Sequence, residues 1–307
     1  MADALTELRQ KRHALRVRSE ILFAIRAFFR ERDFLEVDTP VRLPAPALEE
    51  HIDAEPCGEW FLRTSPELHM KRLLAAGYPR IFQIGPCFRR GESGRLHHPE
   101  YAMLEWYRAD ADYLRILEDT RALIASIGRH LQSLNISVPA AFEREWIIQA
   151  VREVFRKWAG WDPVIAFDAD RFDVDLVERV EPQLKRLGGP FVLMDYPAPL
   201  AALARLKPDQ PQVGERWELY IDGIEIANAY SELADADEQA RRFEQCAARR
   251  RAAGHTVYPL DQHFLEALSA MPAAGGIALG IDRLVMMYTG HHDLSTVIAF
   301  QEHEHQD

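Results

Sequence analysis

Two arginines lie far apart in the sequence, and the second lies in a setting that suits an anion such as phosphate. Arg89 follows a predicted strand that ends at Phe88, and Arg283 follows a run of small residues that ends at Gly280. An apolar helix is predicted to begin around Asp282, so Arg283 would lie in its first turn, where a cation is mildly unfavourable beside the helix dipole. We therefore expect Arg283 to have an anionic partner. A phosphate at the helix N-terminus would serve, and so would a neighbouring carboxylate.

Two carboxylates, Glu218 and Glu225, flank a predicted β-hairpin. Asp222-Gly223 between two alternating apolar segments is a strong signal for a two-residue turn. The resulting register would place Glu218 diagonal to Glu225 on one face, roughly 7 Å apart at the backbone. Two carboxylates at that spacing repel each other unless a cation lies between them, and Mg²⁺ on nucleotide phosphates typically takes one or two carboxylates. A solvated acidic face explains this segment equally well.

The strand after the turn carries further polar residues. Asn228, Tyr230 and Glu232 share one face, but strict alternation puts that face opposite Glu225. If all four residues serve one pocket, a β-bulge or sharp twist near Ala227 is required, and we predict one.

A second polar face is predicted on the strand 101–107. Alternation places Tyr101, Met103, Glu105 and Tyr107 on the same side. Two tyrosines and a carboxylate are unusual on a core-facing side. A half-exposed strand with an exposed glutamate remains an ordinary alternative in antiparallel sheets.

The composition favours a cytoplasmic protein that does not contact a membrane. No segment approaches the roughly 20 apolar residues needed to cross a bilayer, and the N-terminus lacks an apolar signal core. The three cysteines have no C-x-x-C spacing, which disfavours a disulfide framework or a zinc site. The net charge of −11 disfavours non-specific binding to a polyanion. Neither of the common glycine-rich nucleotide loops is present, so an ATP site would have to be built differently.

Helices and strands are predicted in segregated groups, which favours an α+β domain with an antiparallel β-sheet flanked by helices. The predicted helices are 19–32, 112–134, 143–159, 171–187 and one that begins near residue 282. The predicted strands are 34–40, 80–88, 101–108, 191–195, 217–230 with its turn, and 276–280.

Three segments, in this order, resemble the signature motifs of class II aminoacyl-tRNA synthetases. They are the helix and strand that end at Pro40, the segment from Phe88-Arg89 to Tyr107, and Gly280 to Arg283. The lysyl type is the most similar, through 64–67 (Thr-Ser-Pro-Glu), 71–73 (Lys-Arg-Leu), 97–100 (His-His-Pro-Glu) and 225–232. The resemblance covers about residues 15 to 300. It implies one class II synthetase-like catalytic domain over 1–307, with a helical insertion at about 112–190.

The resemblance also implies roles for individual residues. Arg89 and Arg283 match the catalytic arginines on the α- and γ-phosphates of ATP, and Glu218 and Glu225 match the Mg²⁺ ligands. The remaining ATP-binding positions are Glu92, His97, Tyr101 and Gly280. The residues that match the amino-acid pocket are Glu67, Glu105, Tyr107, Asn228, Tyr230, Glu232 and Ala278. Arg90-Gly91 stands where the family usually has Asn-Glu, so a loop carboxylate is missing unless Glu92 replaces it.

The catalytic region starts almost at Met1, so no anticodon-binding domain is expected. That arrangement, together with Ala278 where lysyl-tRNA synthetases have glycine, is similar to the free-standing lysyl-type enzymes that attach (R)-β-lysine to elongation factor P. The implied activity is adenylation of β-lysine or lysine with ATP and Mg²⁺, followed by transfer to elongation factor P, in a homodimer. A synthetase that charges tRNA or another carrier, with tRNA disfavoured by the acidic balance, and a catalytically silent regulatory relative are the alternatives.

Overall fold

The computed structural model describes residues 2–300. Its α-helices are α1 (Ala2–Gln10), α2 (Arg12–Arg30), α3 (Glu67–Ala75), α4 (Tyr113–Ser133), α5 (Val151–Trp158), α6 (Ala169–Asp175), α7 (Glu181–Leu187), α8 (Ala236–Ala252), α9 (Gln262–Leu268) and α10 (Ile281–Tyr288). Its strands are β1 (Leu35–Glu36), β2 (Arg42–Leu43), β3 (Pro56–Cys57), β4 (Trp60–Leu62), β5 (Arg80–Phe88), β6 (Glu100–Ala109), β7 (Ile147–Ala150), β8 (Pro190–Pro197), β9 (Leu206–Lys207), β10 (Gln210–Ile221), β11 (Ile224–Ser231) and β12 (Ala274–Gly280). Among these residues, no helix is long and apolar enough to cross a membrane.

Nine of the strands form one sheet in the order β1-β5-β6-β12-β11-β10-β8-β7, with β9 beside β10. The pairs from β5 through β8 are antiparallel, as the sequence predicted. The two outermost pairs, β1 with β5 and β7 with β8, are parallel, which the sequence did not predict. The sheet is mostly antiparallel and flanked by helices, so the predicted α+β class is confirmed. A separate small sheet has the order β2-β4-β3.

The large sheet buries one face against α2, α4 and α10. Phe29 of α2 stacks on Phe82 of β5, with ring centroids 4.6 Å apart, and Trp106 of β6 packs beside them. The same cluster includes Ile277 of β12 and Trp217 of β10. Because side chains alternate along a strand, the residues next to these must point to the other face. That other face carries the polar residues singled out in the sequence.

Two predicted elements differ from the structure. The helix predicted over 143–159 is replaced by a short 3₁₀ helix, the strand β7, and then α5. β7 pairs with the free edge of β8, and this tertiary pairing overrides the local helical pattern. Of the segment 34–40, only Leu35–Glu36 pairs as a strand. The helix predicted over 171–187 is present, interrupted by a π-helical turn at Leu176–Val180. The single-domain assignment stays a prediction.

Candidate active site

Two parallel rows of side chains cross the polar face of the sheet. The strand registers align the first row as Glu105, Ala278, Asn228 and Glu218, on β6, β12, β11 and β10 respectively. The same registers align the second row as Tyr107, Gly276, Tyr230 and Arg216. Residues two apart on a strand share a face, so both rows lie on the same side. The predicted common faces of β6 and of the 228–230 segment are therefore confirmed.

A β-bulge brings the two halves of the hairpin onto that face. Tyr220 pairs with Glu225 and Leu219 pairs with Ala227, which leaves Ile226 as the extra residue. The bulge predicted near Ala227 is confirmed, one residue earlier. Tyr220 pairs with Glu225 as predicted, so Glu218 lies diagonal to Glu225, two residues from its partner. The predicted pairing of Leu219 with Ile226 is wrong, because the extra residue shifts it to Ala227.

A solvent-open cleft of about 800 Å³ lies above the β6, β11 and β12 end of these rows. Arg89 and Arg283 both line it. Of the residues assigned above to ATP, all except Glu218 line this cleft, and Asn228 and Ala278 of the amino-acid set line it too. Residues nearly 200 positions apart therefore meet in one space.

Arg283 links the first turn of α10 to two other elements of the cleft. Its Nε donates to the carbonyl of Leu96 at 3.1 Å, and Nη1 donates to the carbonyl of Glu225 at 2.9 Å. Nη2 lies 2.8 Å from Nε2 of His97, which must accept because a guanidinium has no acceptor. Burial, followed by the positive charge of Arg283, lowers the pKa of His97, in agreement with a neutral ring.

Arg89 lies at the other side of the cleft, at the end of β5. Its guanidinium lies over the ring of Tyr101, 5.2 Å from the centroid, and Nη1 is 3.7 Å from Glu92. Its Nε is buried and has no hydrogen-bond partner among the described residues. Buried donors are normally satisfied, so an unpaired one here indicates capacity for an anionic ligand.

Glu49 also lies near Arg89, although no sequence pattern pointed to it. Burial raises the pKa of this half-buried carboxyl, against the lowering effect of Arg89. Glu49 belongs to no recognisable motif segment, and only the path of the 44–54 loop brings it near Arg89.

The two predicted metal ligands have different surroundings. Glu225 lines the cleft with 41% of its side chain exposed. Glu218 is buried, and both of its oxygens have partners: Arg216 donates to Oε1 at 2.6 Å, while the hydroxyls of Tyr196 and Tyr220 donate to Oε2. Burial, then the charge of Glu218, raises the pKa of Glu225. Carboxylate oxygens suit Mg²⁺, so Glu225 fits as a ligand. Glu218 accepts three hydrogen bonds of the about four that a carboxylate can take, so its Oε1 keeps one acceptor site for the ion.

Five of the predicted amino-acid residues form a largely buried polar cluster beside the cleft, which we call the amino-acid pocket: Glu67, Glu105, Tyr107, Tyr230 and Glu232. Glu105 accepts hydrogen bonds from Ser65 at 2.7 Å and from Tyr107 at 2.8 Å. The hydroxyl of Tyr230 donates to Glu67. Glu105 is opposite Ala278 on β12, and Ala278 also lines the cleft, so Ala278 lies where the amino-acid pocket meets the cleft.

Lys71 lies inside this pocket, although the sequence assigned it no role. Its Nζ is 2.6 Å from Glu67 and 2.5 Å from Glu232, and its side chain is fully buried. It also lies 5.3 Å from the centre of the Tyr230 ring. The spacing of Glu67 and Lys71, four residues apart on a helix, was the available signal for the first of these contacts.

The acidic groups of the pocket are strongly perturbed. Burial and the charge of Glu67 raise the pKa of Glu105 to about 8. Burial raises the pKa of Glu232 to about 8, although Lys71 opposes the shift. Burial alone would lower the pKa of Lys71, but Glu232 and Glu67 raise it above its ordinary value. A strongly perturbed carboxyl pair in a cavity is typical of a functional site.

A neighbouring contact fixes the base of α10 next to Arg283. Asp282 pairs with Arg18 of α2 and accepts a hydrogen bond from the backbone N–H of Ala102 at 2.8 Å. It therefore connects α10 to α2 and to β6. From the sequence, Asp282 was predicted only to lie near the start of the helix.

Comparison with known proteins agrees with this geometry. Residues 4–304 match the family described as tRNA synthetases class II (D, K and N). Three similar proteins are each named elongation factor P–(R)-β-lysine ligase. The one from Erwinia tasmaniensis is 40% identical over 92% of this chain and 93% of its own length. Those from Vibrio cholerae (37% over 93% and 94%) and Proteus mirabilis (38% over 92% and 93%) are comparable. Since the family match spans almost the whole sequence, the chain belongs to the class II aminoacyl-tRNA synthetases of the aspartyl, lysyl and asparaginyl group.

Proposed function

We propose that the protein adenylates a diamino acid of the lysine type, (R)-β-lysine above all, and transfers it to a lysine side chain of elongation factor P. The observation that carries the proposal is that the cleft with Arg89 and Arg283 adjoins, at Ala278, the buried amino-acid pocket with its three carboxylates. The cleft suits a triphosphate, and the carboxylates of the pocket suit ammonium groups.

The first step would join the substrate carboxylate to the α-phosphate of ATP. A carboxylate oxygen attacks the α-phosphorus, the bond to the bridging oxygen of the β-phosphate breaks, and pyrophosphate leaves. Negative charge accumulates on the α-phosphate oxygens, and the guanidinium of Arg89 would stabilise it. Arg283 would hold the distant end of the triphosphate from the other side of the cleft, with His97 beside it. Catalysis of this kind depends on positioning and electrostatics, and no protein nucleophile is required.

Mg²⁺ would be held at Glu225, with Oε1 of Glu218 as second ligand. Phosphate and water oxygens would complete the coordination. The ion would neutralise charge on the leaving pyrophosphate. Among the described residues, no cluster of three or more acidic, histidine or cysteine side chains could hold a metal ion without such extra ligands.

The pocket supports a substrate with two ammonium groups. Glu67, Glu105 and Glu232 supply three carboxylates, and burying an ammonium without such partners is costly. The substrate carboxylate would then lie near Arg89, and Tyr101 would stack on adenine. The methyl group of Ala278 lies where the amino-acid pocket meets the cleft. From there it can influence the position of the substrate carboxylate that reacts.

In the second step, the ε-amine of the acceptor lysine would attack the acyl carbon of the adenylate, and AMP would leave with loss of a proton from the amine. The names of the similar proteins support elongation factor P as the acceptor. The net charge of −11 makes tRNA a less favourable partner. We further propose a cytoplasmic homodimer.

Pyrophosphate exchange tests the first step. Radiolabel should pass from pyrophosphate into ATP in the presence of (R)-β-lysine, more slowly with L-lysine, and not at all with leucine. Absence of exchange with every amino acid would overturn the adenylation proposal and support a silent regulatory relative. The acceptor is tested separately, by incubating the enzyme, ATP and labelled β-lysine with purified elongation factor P or with tRNA. Label on tRNA but not on elongation factor P would favour a charging enzyme.

A further inference from the structure

We propose that Lys71 is a positioning residue that sets the charge of the amino-acid pocket. Its ammonium cancels one of the three carboxylate charges, and the pocket therefore selects a substrate with two ammonium groups. The inference deepens the proposed function and rests on the same pocket. It concerns Lys71, a side chain of the protein that pairs with two of the pocket's own carboxylates, Glu67 and Glu232.

The ammonium of Lys71 lies between two carboxylates from separate elements. Glu67 is one turn earlier on α3, and Glu232 follows the end of β11, more than 160 residues later in the chain. Lys71 therefore fixes the positions of both carboxylates relative to each other. Breaking a buried ion pair of this kind by removing one partner leaves an uncompensated charge.

Glu232 retains capacity for a second cation. Both of its oxygens are buried, and neither makes a well-aligned hydrogen bond among the residues described, although Lys71 Nζ is close to Oε2. A carboxylate can accept about four hydrogen bonds in all. The contact with Lys71 thus holds Glu232 in place without using up its acceptor sites.

The charges around Lys71 determine the net charge that a substrate meets. Glu67 on α3, Glu232 after β11 and the ring of Tyr230 lie directly beside Lys71. Glu105 and Tyr107 on β6 lie next to Glu67, with Arg63 behind Glu105. Arg63 donates instead to the carbonyl of Pro86 and to Thr39, so it belongs to the wall of the pocket. Glu49 lies between this set and the cleft, since its largest charge interaction is with Arg89 and the next is with Glu67.

With all three carboxylates ionised and Lys71 charged, the pocket carries two net negative charges. A diammonium substrate with its carboxylate directed to Arg89 matches that value. A substrate with a single ammonium would leave one buried charge without a partner, which is costly. In the absence of Lys71, the pocket would either carry three negative charges or keep one of its carboxyl groups protonated.

Binding to the free protein tests the inference without requiring adenylation. The dissociation constant of (R)-β-lysine is measured by calorimetry between pH 6 and 9 for wild type and for Lys71→Met, which keeps the length and apolar stem of the side chain. We expect Lys71→Met to weaken binding at pH 7 by about tenfold or more and to move the pH at which binding reaches half its maximum upward by about one unit, since the carboxyl groups lose a neighbouring cation.

Lys207→Met is the matched control. Lys207 also pairs with a carboxylate, Asp195 at 2.7 Å, and lies near a tyrosine ring, but it is on β9 outside the pocket. It should leave both the dissociation constant and its pH dependence unchanged. Thermal unfolding of both variants reports any loss of stability independently.

A second variant covers the case in which Lys71→Met fails to fold. Lys71→Ala should recover binding when propylammonium is added, and much less with 1-propanol, which has similar size but no charge. Recovery by both compounds alike, or an unchanged pH dependence in Lys71→Met, would show that Lys71 only fills space. If wild type binds no diammonium compound, the inference also fails. If it binds one but gives no pyrophosphate exchange, the proposed function fails while the inference stands.

Discussion

A Cβ atom on Gly276 would lie 2.1 Å from Oε1 of Glu232. The same atom would be 2.4 Å from the ring of Tyr107, the neighbour of Gly276 on β6. These distances are far below ordinary contact, and both neighbours are buried. The position of the Glu232 carboxylate in the amino-acid pocket therefore depends on the absence of a side chain at Gly276 on the adjacent strand β12. This gives Gly276 a direct role in the site.

Gly276→Ala should abolish measurable binding of the diamino acid while leaving ATP binding nearly intact. The added methyl must displace Glu232 or Tyr107, and overpacking of this kind typically costs about 1–3 kcal/mol of unfolding free energy. Calorimetry with each ligand and urea denaturation measure the two effects. Gly128→Ala on α4, whose Cβ would have no heavy atom within 4 Å, is the control and should lose neither property. Unchanged diamino-acid binding in Gly276→Ala would contradict the assignment of the pocket.

Arg283→Lys should lower kcat/KM for ATP in pyrophosphate exchange by about 10²-fold, although charge is retained. A lysine ammonium lacks the planar fork with which the guanidinium donates to Leu96, Glu225 and His97. The loop with Leu96 and His97 would therefore no longer be held against the strand with Glu225. Steady-state kinetics with varied ATP provide the measurement. An unchanged kcat/KM would mean that Arg283 serves only to connect the loop to the strand.

Binding of a diammonium substrate should strengthen as the pH rises from 6 to about 8. The pKa values of Glu105 and Glu232 are both about 8 in the empty pocket, so below that pH each carboxyl holds a proton that must leave before it can pair with an ammonium. Each proton released contributes up to tenfold in affinity per pH unit. Calorimetry in buffers with different ionisation enthalpies counts the protons directly.

Glu105→Gln should remove one of these groups and flatten the pH dependence between pH 6 and 8. A dissociation constant that does not vary over this range in wild type would show that the carboxyl groups are already ionised. The same raised pKa values act on folding with the opposite sign, because the unfolded chain ionises near its ordinary value. The unliganded fold should therefore lose stability as the pH rises from about 4.5 to about 8, and urea denaturation over this range measures it.

Glu225→Gln and Glu218→Gln should separate an effect on Mg²⁺ binding from an effect on the stability of the fold. Glu225 is partly exposed in the cleft, so Glu225→Gln should raise the Mg²⁺ concentration required for exchange by about tenfold with little effect on unfolding. Glu218 accepts from Arg216 and two tyrosines, so Glu218→Gln should in addition destabilise the fold by about 1–3 kcal/mol. Magnesium titration and urea denaturation on the same samples provide the comparison. Equal losses of stability in the two variants would contradict the difference in their surroundings.

Local sequence patterns were sufficient where the physics is local. The Asp222-Gly223 turn and the alternation of Glu105 with Tyr107 follow from backbone geometry over a few residues, and the structure confirms both. The bulge near Ala227 was predicted because Glu225 and Asn228 can serve the same pocket only if the strand alternation is interrupted between them. The strand β7 could not be predicted, since it forms only by pairing with β8 some 40 residues later.

The sequence by itself determined which residue types could act: two separated arginines for phosphate, and paired carboxylates for Mg²⁺ and ammonium groups. Only the tertiary structure decided which of them meet. It enclosed Glu218 among donors, brought Glu49 towards Arg89, and placed Lys71 between Glu67 and Glu232. Alternation fixes the face of a strand on which a side chain lies, but the partners across that face depend on strand order and on the helices that cover it. Those arrangements result from the packing of the whole sheet.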